Sequence, residues 1–386
     1  MSDTTVQASA RAAEPAAVPT GAGSVTDRLR RPRTYAVLVG SVLLLVLPFY
    51  LDRFWLQAGL FAMAAAIGAI GLNMLTGATG QLSMGHAFFL AVGAYGYCVL
   101  AGESSTENGH AITGLGLPTW LAAILAVLLA GAAGGLFSPI AGRLRGAYLG
   151  IATLALIFIG QHVLFNAGSL TGGYNGRPVP PLSLFGFTFD DSELVVAAVP
   201  FGASEKLWYV ALLALLLSAL FARGVLRGRP GRAMNAIRDH RIAAGVMGVP
   251  VARYRAGVFV LSSMYAGLAG VLLALVFQRT VPEYFGMILS LEYLAMIVIG
   301  GLGSVAGAVI GAAFVSLLPQ ALTYYSDSLP LVSAPGTGGL APGEASRYLY
   351  GAAVVAVVLF LPGGLTRLGA TRAAGPAASK KPGEKK

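Results

Sequence analysis

The sequence predicts an all-α, polytopic membrane protein of about ten transmembrane helices with both termini in the cytoplasm, and three observations carry that expectation. Hydrophobic residues make up 56% of the 386-residue chain and charged residues only 11%, with a mean hydropathy of +0.74, far from the balance of a soluble domain. Apolar runs of bilayer-crossing length recur along the chain. Basic residues, which give the net charge of +10, gather in alternate connections between those runs, a distribution that excludes a nucleic-acid surface.

The spans fall at 35–51, 54–76, 81–101, 117–138, 146–167, 206–222, 255–277, 287–302, 304–322 and 347–363. An even number of crossings puts the termini on one side. With that side inside, 21 of the 26 Lys and Arg are cytoplasmic, and Arg53, Arg177, Lys206, Arg279 and Arg347 are left outside. The pair 287–302 and 304–322 is short and divided by Gly300-Gly-Leu-Gly303, so two spans, a broken helix or a re-entrant pair all fit it.

Residues 1–34 read as a disordered cytoplasmic tail, rich in Ala, Pro, Thr and Arg and without apolar periodicity, ahead of an uncleaved first helix. Residues 35–366 form the membrane domain, and 367–386 a basic, solvated cytoplasmic tail near anionic lipid. The outer loop, 168–205, holds Ser169-Leu-Thr-Gly-Gly-Tyr-Asn-Gly-Arg-Pro-Val-Pro-Pro181, where Gly and Asn supply positive φ; a cap over helix ends and a partner surface both fit. The cytoplasmic loop, 223–254, carries one short helix that enters at Pro230 and stops at Gly248, with Met234, Ile237 and Ala244 on one side and His240 and Arg241 interrupting the stripe. Lipid or a cytoplasmic protein can take up such a helix.

Chemistry-bearing patterns are sparse. No Gly-rich loop ends in Gly-Lys-Ser or Gly-Lys-Thr, so the chain has no nucleotide-hydrolysing motif, and no carboxylate pair, metal-ligand spacing or nucleophile with a base appears. No catalytic residue, cofactor or metal is expected. The single cysteine, Cys98, has no partner and reads as a small buried residue. Glu292 is the one acid within a span, close enough to the outer end for its carboxylate to reach interfacial water. Asn73, Gln81, Ser83 and His86 cluster around a break at Gly77 to Gly80 inside otherwise lipid-like sequence, where polar groups need partners or water. They read either as the polar residues of a pathway or as caps for the break, and a lone His without an acid chain gives no proton relay. Gly303, Gly307 and Gly311, spaced by four, and Gly131 with Gly135, form seams for close helix approach. The Gly-rich breaks at 77–85 and 300–307 echo each other faintly, as two related halves would.

Five stretches, in order, carry a family resemblance. Gly71-Leu-Asn with Thr76-Gly77 and Gly80-Gln-Leu-Ser-Met-Gly-His86, then Arg145-Gly-Ala-Tyr-Leu149, Ser169-Leu-Thr-Gly-Gly-Tyr-Asn-Gly176, Gly231-Arg-Ala through Gly248, and Gly300-Gly-Leu-Gly-Ser304 resemble the LivM-type permeases of branched-chain amino acid ABC importers. The resemblance runs from about residue 60 to 320. It implies one of two homologous permease subunits in a bacterial inner membrane, forming half of a path for Leu, Ile or Val. Two cytoplasmic ABC ATPases and an extracytoplasmic substrate-binding protein are the implied partners, with the lipid bilayer around them. It also implies that the 231–248 helix is a coupling helix whose ATPase-facing set is Arg232, Ile237, Arg238, Asp239, Ile242, Ala243, Ala244 and Gly248. Ile242-Ala-Ala-Gly-Val-Met-Gly248 resembles the importers' Glu-Ala-Ala, three residues, Gly pattern with Ile242 in place of the Glu. Permeases for urea and short amides share these motifs; an autonomous channel or ion-coupled carrier is disfavoured by the docking-like helix and the lack of paired intramembrane charges.

Overall fold

A computed structural model describes residues 40, 42–107, 110–144, 146–184, 186–191, 194–196, 199–325, 341–360 and 364–365. The expected tails at 1–34 and 367–386, residues 35–39 and 41 of the first span and Arg145 lie outside the described residues. The chain divides into a unit of residues 1–47, in which 42–46 are helical, and a unit of residues 48–386.

The second unit is a helical bundle: α1 (Arg53–Thr79), α2 (His86–Ala101), α3 (Thr119–Arg143), α4 (Ala147–Asn166), α5 (Ala203–Arg227), α6 (Arg229–Asp239), α7 (Arg241–Val246), α8 (Val251–Phe277), α9 (Met287–Gly300), α10 (Val305–Tyr324) and α11 (Pro342–Phe360). The protein is a polytopic helical membrane protein: among the described residues, α1, α3, α4, α5, α8 and α10 are long and apolar enough to cross a bilayer. α1 and α8 are buried on nearly all sides, as helices that are apolar all round should be, whereas α3, α4, α5 and α10 keep broad apolar faces outward. Glycines allow the central contacts. A Cβ at Gly71 would stand against Tyr265, and one at Gly93 against the Gly267 backbone.

The sequence places a span at 81–101, but α2 begins only at His86 and has 16 residues. Residues 80–85 are not helical because Gly80 takes φ 68° and ends α1, and Gly85 lies against the Thr153 backbone, where a side chain has no room. The break therefore lies at 80–85, after Gly77, which is still helical. In lipid this irregular backbone needs internal partners, and hydroxyls provide them: Thr76 Oγ1 donates to Gln81 O (3.1 Å), Thr79 Oγ1 to Leu75 O (2.6 Å), and the Met84 N–H donates to Thr153 Oγ1 (2.9 Å).

The short pair at 287–302 and 304–322 is a helical hairpin. α9 has 14 residues, a rise of about 21 Å. Gly301 at φ 114° and Gly303 at φ 80° turn the chain, and α10 returns antiparallel with Gly307 against Gly300 and Gly311 against the Met296 carbonyl. Gly307 and Gly311 are thus a packing seam, but Gly303 belongs to the turn and not to the helix stripe. On α3, Gly131 packs on Met264 and Gly134 on Ser263, while Gly135 makes ordinary contact with Val260.

Four two-stranded antiparallel ribbons complete the described chain, three of them in the 168–205 loop or joining it to the bundle. Arg177–Pro178 pairs with Arg279–Thr280, and the buried Arg177 guanidinium donates to Leu170 O (2.8 Å) and Thr113 O (3.1 Å). These bonds make the start of the loop a stapled cap over helix ends. Gly172, Gly173 and Gly176 supply its positive φ and Asn175 does not; among the described residues, the non-glycine residue with positive φ is Gln278, the C-cap of α8.

Candidate functional site

Two structures meet at one end of the bundle: the α1–α2 break and the α6–α7 loop. α6 amphipathically buries Gly231, Met234 and Ile237 against the bundle. The single helix expected over 231–248 is in fact two, divided at His240 (φ −147°, ψ 91°), because the apolar stripe ends at Ile237 and the chain must turn to keep Ala244 buried. The Ala244 N–H donates to His240 O (2.9 Å). α7 stops as the sequence requires: Gly248 (φ 83°) lets the Val249 N–H reach Ala244 O and its own N–H reach Gly245 O, a Schellman motif.

This bend sorts the coupling set. Ile242, Val246 and Met247 are 85%, 84% and 84% exposed, an apolar tip with nothing of this chain over it among the described residues. Arg232, Asp239 and Ala243 are also exposed, whereas Ile237 and Ala244 are buried in the loop's own packing. Arg238 turns back: its Nη1 donates to Gly77 O (2.9 Å) while its Nε holds the Asp239 carboxylate (3.1 Å). A cation at a helix's terminal carbonyls is favourable, and here it ties α6 to the last turn of α1. Val246 and Met247 were not in the sequence-derived coupling set; apolar residues beside Ile242 on so short a helix are the signal for them.

The polar residues of the break lie 2–3% exposed, and each has a different setting. Asn73 is a two-way staple: Nδ2 donates to Ser304 O (2.8 Å) and Oδ1 accepts from the Gly303 N–H (2.8 Å). A Cβ at Gly77 would meet the Gly303 amide, so the last turn of α1 touches the α9–α10 turn directly. Gln81 Nε2 donates to Thr79 Oγ1 (2.9 Å) and Arg255 O (3.3 Å), whereas its Oε1 has no partner among the described residues. Ser83 Oγ accepts locally from the Gly85 N–H (3.4 Å). His86 lies against Tyr293 with ring centroids 4.9 Å apart and the ring planes tilted by 58°, and His86 Nε2 and Tyr293 Oη are both unpartnered among the described residues. Gln81, Ser83 and His86 are thus gathered at the break, and Asn73 lies about two turns back along α1.

Sequence reasoning missed the residues that hold this arrangement from other helices. Ser290 Oγ accepts from the Ala87 N–H at the start of α2 (2.9 Å), and Arg255 donates to Gly142 O (2.8 Å) and Leu144 O (3.0 Å) at the end of α3. Ser290 and Tyr293 are three apart on α9, a polar stripe on one helical face that spacing alone makes visible.

Comparison with known proteins fits these elements. LivM, the high-affinity branched-chain amino acid transport system permease protein of Escherichia coli, is 34% identical over 275 residues, 68% of this chain and 62% of that protein. The chain therefore spans about three fifths of the length of this relative. The corresponding LivH protein of Salmonella typhimurium is 30% identical over 259 residues, 64% of this chain and 77% of LivH. LsrC, an autoinducer 2 import system permease protein of Escherichia coli, is 26% identical over 303 residues, 76% of this chain and 80% of LsrC. A solved structure, PsaBC from Streptococcus pneumoniae in complex with Fab, covers 86% of this chain and 99% of that one at a TM-score of 0.41 and 15% identity, a distance at which nothing about function follows. A family model described as branched-chain amino acid transport system / permease component matches residues 55–358, from the second residue beyond the start of α1 nearly to the end of α11, and the chain belongs to that family.

Proposed function

We propose that the protein is the permease subunit of an ABC importer that carries Leu, Ile and Val. It crosses the bacterial inner membrane ten times with cytoplasmic termini, pairs with a second homologous permease, and receives substrate from an extracytoplasmic binding protein at the face of the 168–205 loop. Two ATPases dock on the 223–254 loop and perform the hydrolysis for which this chain has no motif. The tails at 1–34 and 367–386 flank the permease domain of 35–366.

The observation that carries this reading, beside the family, is the apolar tip of Ile242, Val246 and Met247, held out from a loop whose other face is tied to α1. Apolar side chains so exposed call for a cover, and an ATPase cleft supplies one. Arg232 and Asp239 rim the contact. Movement of α6 would pass through Arg238 to Gly77 and through Asn73 to the α9–α10 turn, biasing a packed bundle between inward-open and outward-open states. Asn73, Gln81, Ser83 and His86 form the polar part of the pathway at that junction, where Gln81 Oε1 and His86 Nε2 are buried without a partner among the described residues.

Uptake of labelled leucine by source cells with and without the gene tests the reading. Loss of a component that unlabelled isoleucine and valine compete for is the expected result. Unchanged leucine uptake, with a defect confined to urea or another solute, overturns the cargo.

A further inference from the structure

Glu292 faces a cavity. The space, about 220 Å³, lies between α1, α8, α9, α10 and α11 and is walled by aromatic rings, among them Phe277, Tyr284, Tyr293 and Tyr350. The Phe277 and Tyr284 rings are stacked at 4.4 Å. Glu292, on the second turn of α9, is half-buried, and none of the described residues offers it a hydrogen bond or an ion pair within 4.0 Å; Arg347 acts on it electrostatically from farther away and is exposed. An unpaired carboxylate within a membrane span is costly and calls for a cation or water.

The cavity is built at a helix defect. Pro319 lies inside α10 and cannot donate to the Val315 carbonyl, which is instead bonded by Tyr350 Oη at 2.6 Å. The defect is therefore repaired from α11, and Val315, Ser316 and Pro319 line the space it leaves. Tyr293 Oη, at the inner wall, is buried and unpartnered among the described residues. A small, mostly apolar cavity with one carboxylate and several ring faces suits a ligand with an apolar body and a single ammonium, which carboxylate and rings attract together. Its volume is below the roughly 300–1,000 Å³ of drug-sized sites, which matches a small metabolite.

We propose that this cavity is a binding site for a small alkylammonium ion, with Glu292 as the ammonium's counter-ion and the ring faces around its apolar body. The site stands on its own chemistry and does not depend on the cargo reading given above.

The test is a thiol introduced into the cavity by Ser316→Cys, in a Cys98→Ala background, in cells lacking the native gene. Modification by N-ethylmaleimide is followed with leucine, with isoamylamine, which keeps the ammonium and loses the carboxylate, and with 4-methylpentanoate, which does the reverse. Isoamylamine at millimolar concentration should slow modification by at least about tenfold; leucine, whose carboxylate meets no cation among the described residues of the lining, should protect less, and 4-methylpentanoate should not protect. Adding Glu292→Gln should abolish the protection, and Glu292→Asp should retain part of it. A thiol that never reacts, as under a resident lipid chain, overturns the site, as does protection that survives Glu292→Gln or that 4-methylpentanoate reproduces. Failure of the cargo reading shows separately, as leucine uptake unaffected by loss of the gene, and Glu292-dependent protection by isoamylamine still decides the site.

Discussion

Asn73 joins α1 to the α9–α10 turn across 230 residues of sequence, accepting from Gly303 and donating to Ser304. Both bonds are part-buried and go to backbone groups in a turn, so truncation leaves a donor and an acceptor without their partner. Asn73→Ala should destabilise the protein by about 2 kcal/mol, read as earlier loss of folded protein on heating in detergent, while Asn73→Asp, which keeps the acceptor for the Gly303 N–H, should lose less. The sequence marks Asn73 as anomalous, because an amide in an apolar span needs a partner. It does not say which partner, since a hydrogen bond to a main chain 230 residues away leaves no side-chain signal. His86 and Gln81 are legible in the same way and to the same limit: their depth follows from the pattern, and their open atoms only from packing.

At the scale of elements, the α6–α7 bend separates an anchored helix from a presented one. Pro230 and Gly248 mark its ends in the sequence as they do in the structure, and the Met234, Ile237 and Ala244 stripe is buried as the pattern implies. The bend at His240 is legible only as the point where that stripe is interrupted. Because Ile242 touches little of its own chain, Ile242→Asp should leave folding and membrane insertion within about 0.5 kcal/mol of the parent yet abolish co-purification of the ATPase subunits. Retention of those subunits at full yield would remove the docking role of the tip. Helix ends were less predictable where lipid-like composition runs on through a break, as at 80–85, because hydropathy does not record whether a backbone is helical.

For the whole molecule, the two helices buried on nearly all sides, α1 and α8, organise the bundle, and the last turn of α1 and the α9–α10 turn meet beside the α6–α7 loop. A reporter active only in the cytoplasm, fused after Lys386, should be active, and a second placed in the 168–205 loop should be silent, since 21 of 26 basic residues then lie inside. The opposite pair of results would invert the proposed orientation and place the apolar tip of α7 away from any ATPase.

Composition, span length and charge placement by themselves determined that this is a polytopic helical membrane protein, and five short motifs its family, because bilayer thickness and the cost of exposed backbone leave few alternatives. Only the tertiary structure decided what the buried polar atoms do. Asn73 became a staple, Arg238 a tie to α1, Gly303 a turn, and Glu292 the wall of a cavity, each through a contact between segments far apart in sequence. A lipid-facing and a pathway-facing residue can have the same neighbours in sequence, and it is the packing of distant helices that gives a polar atom its partner or leaves it open.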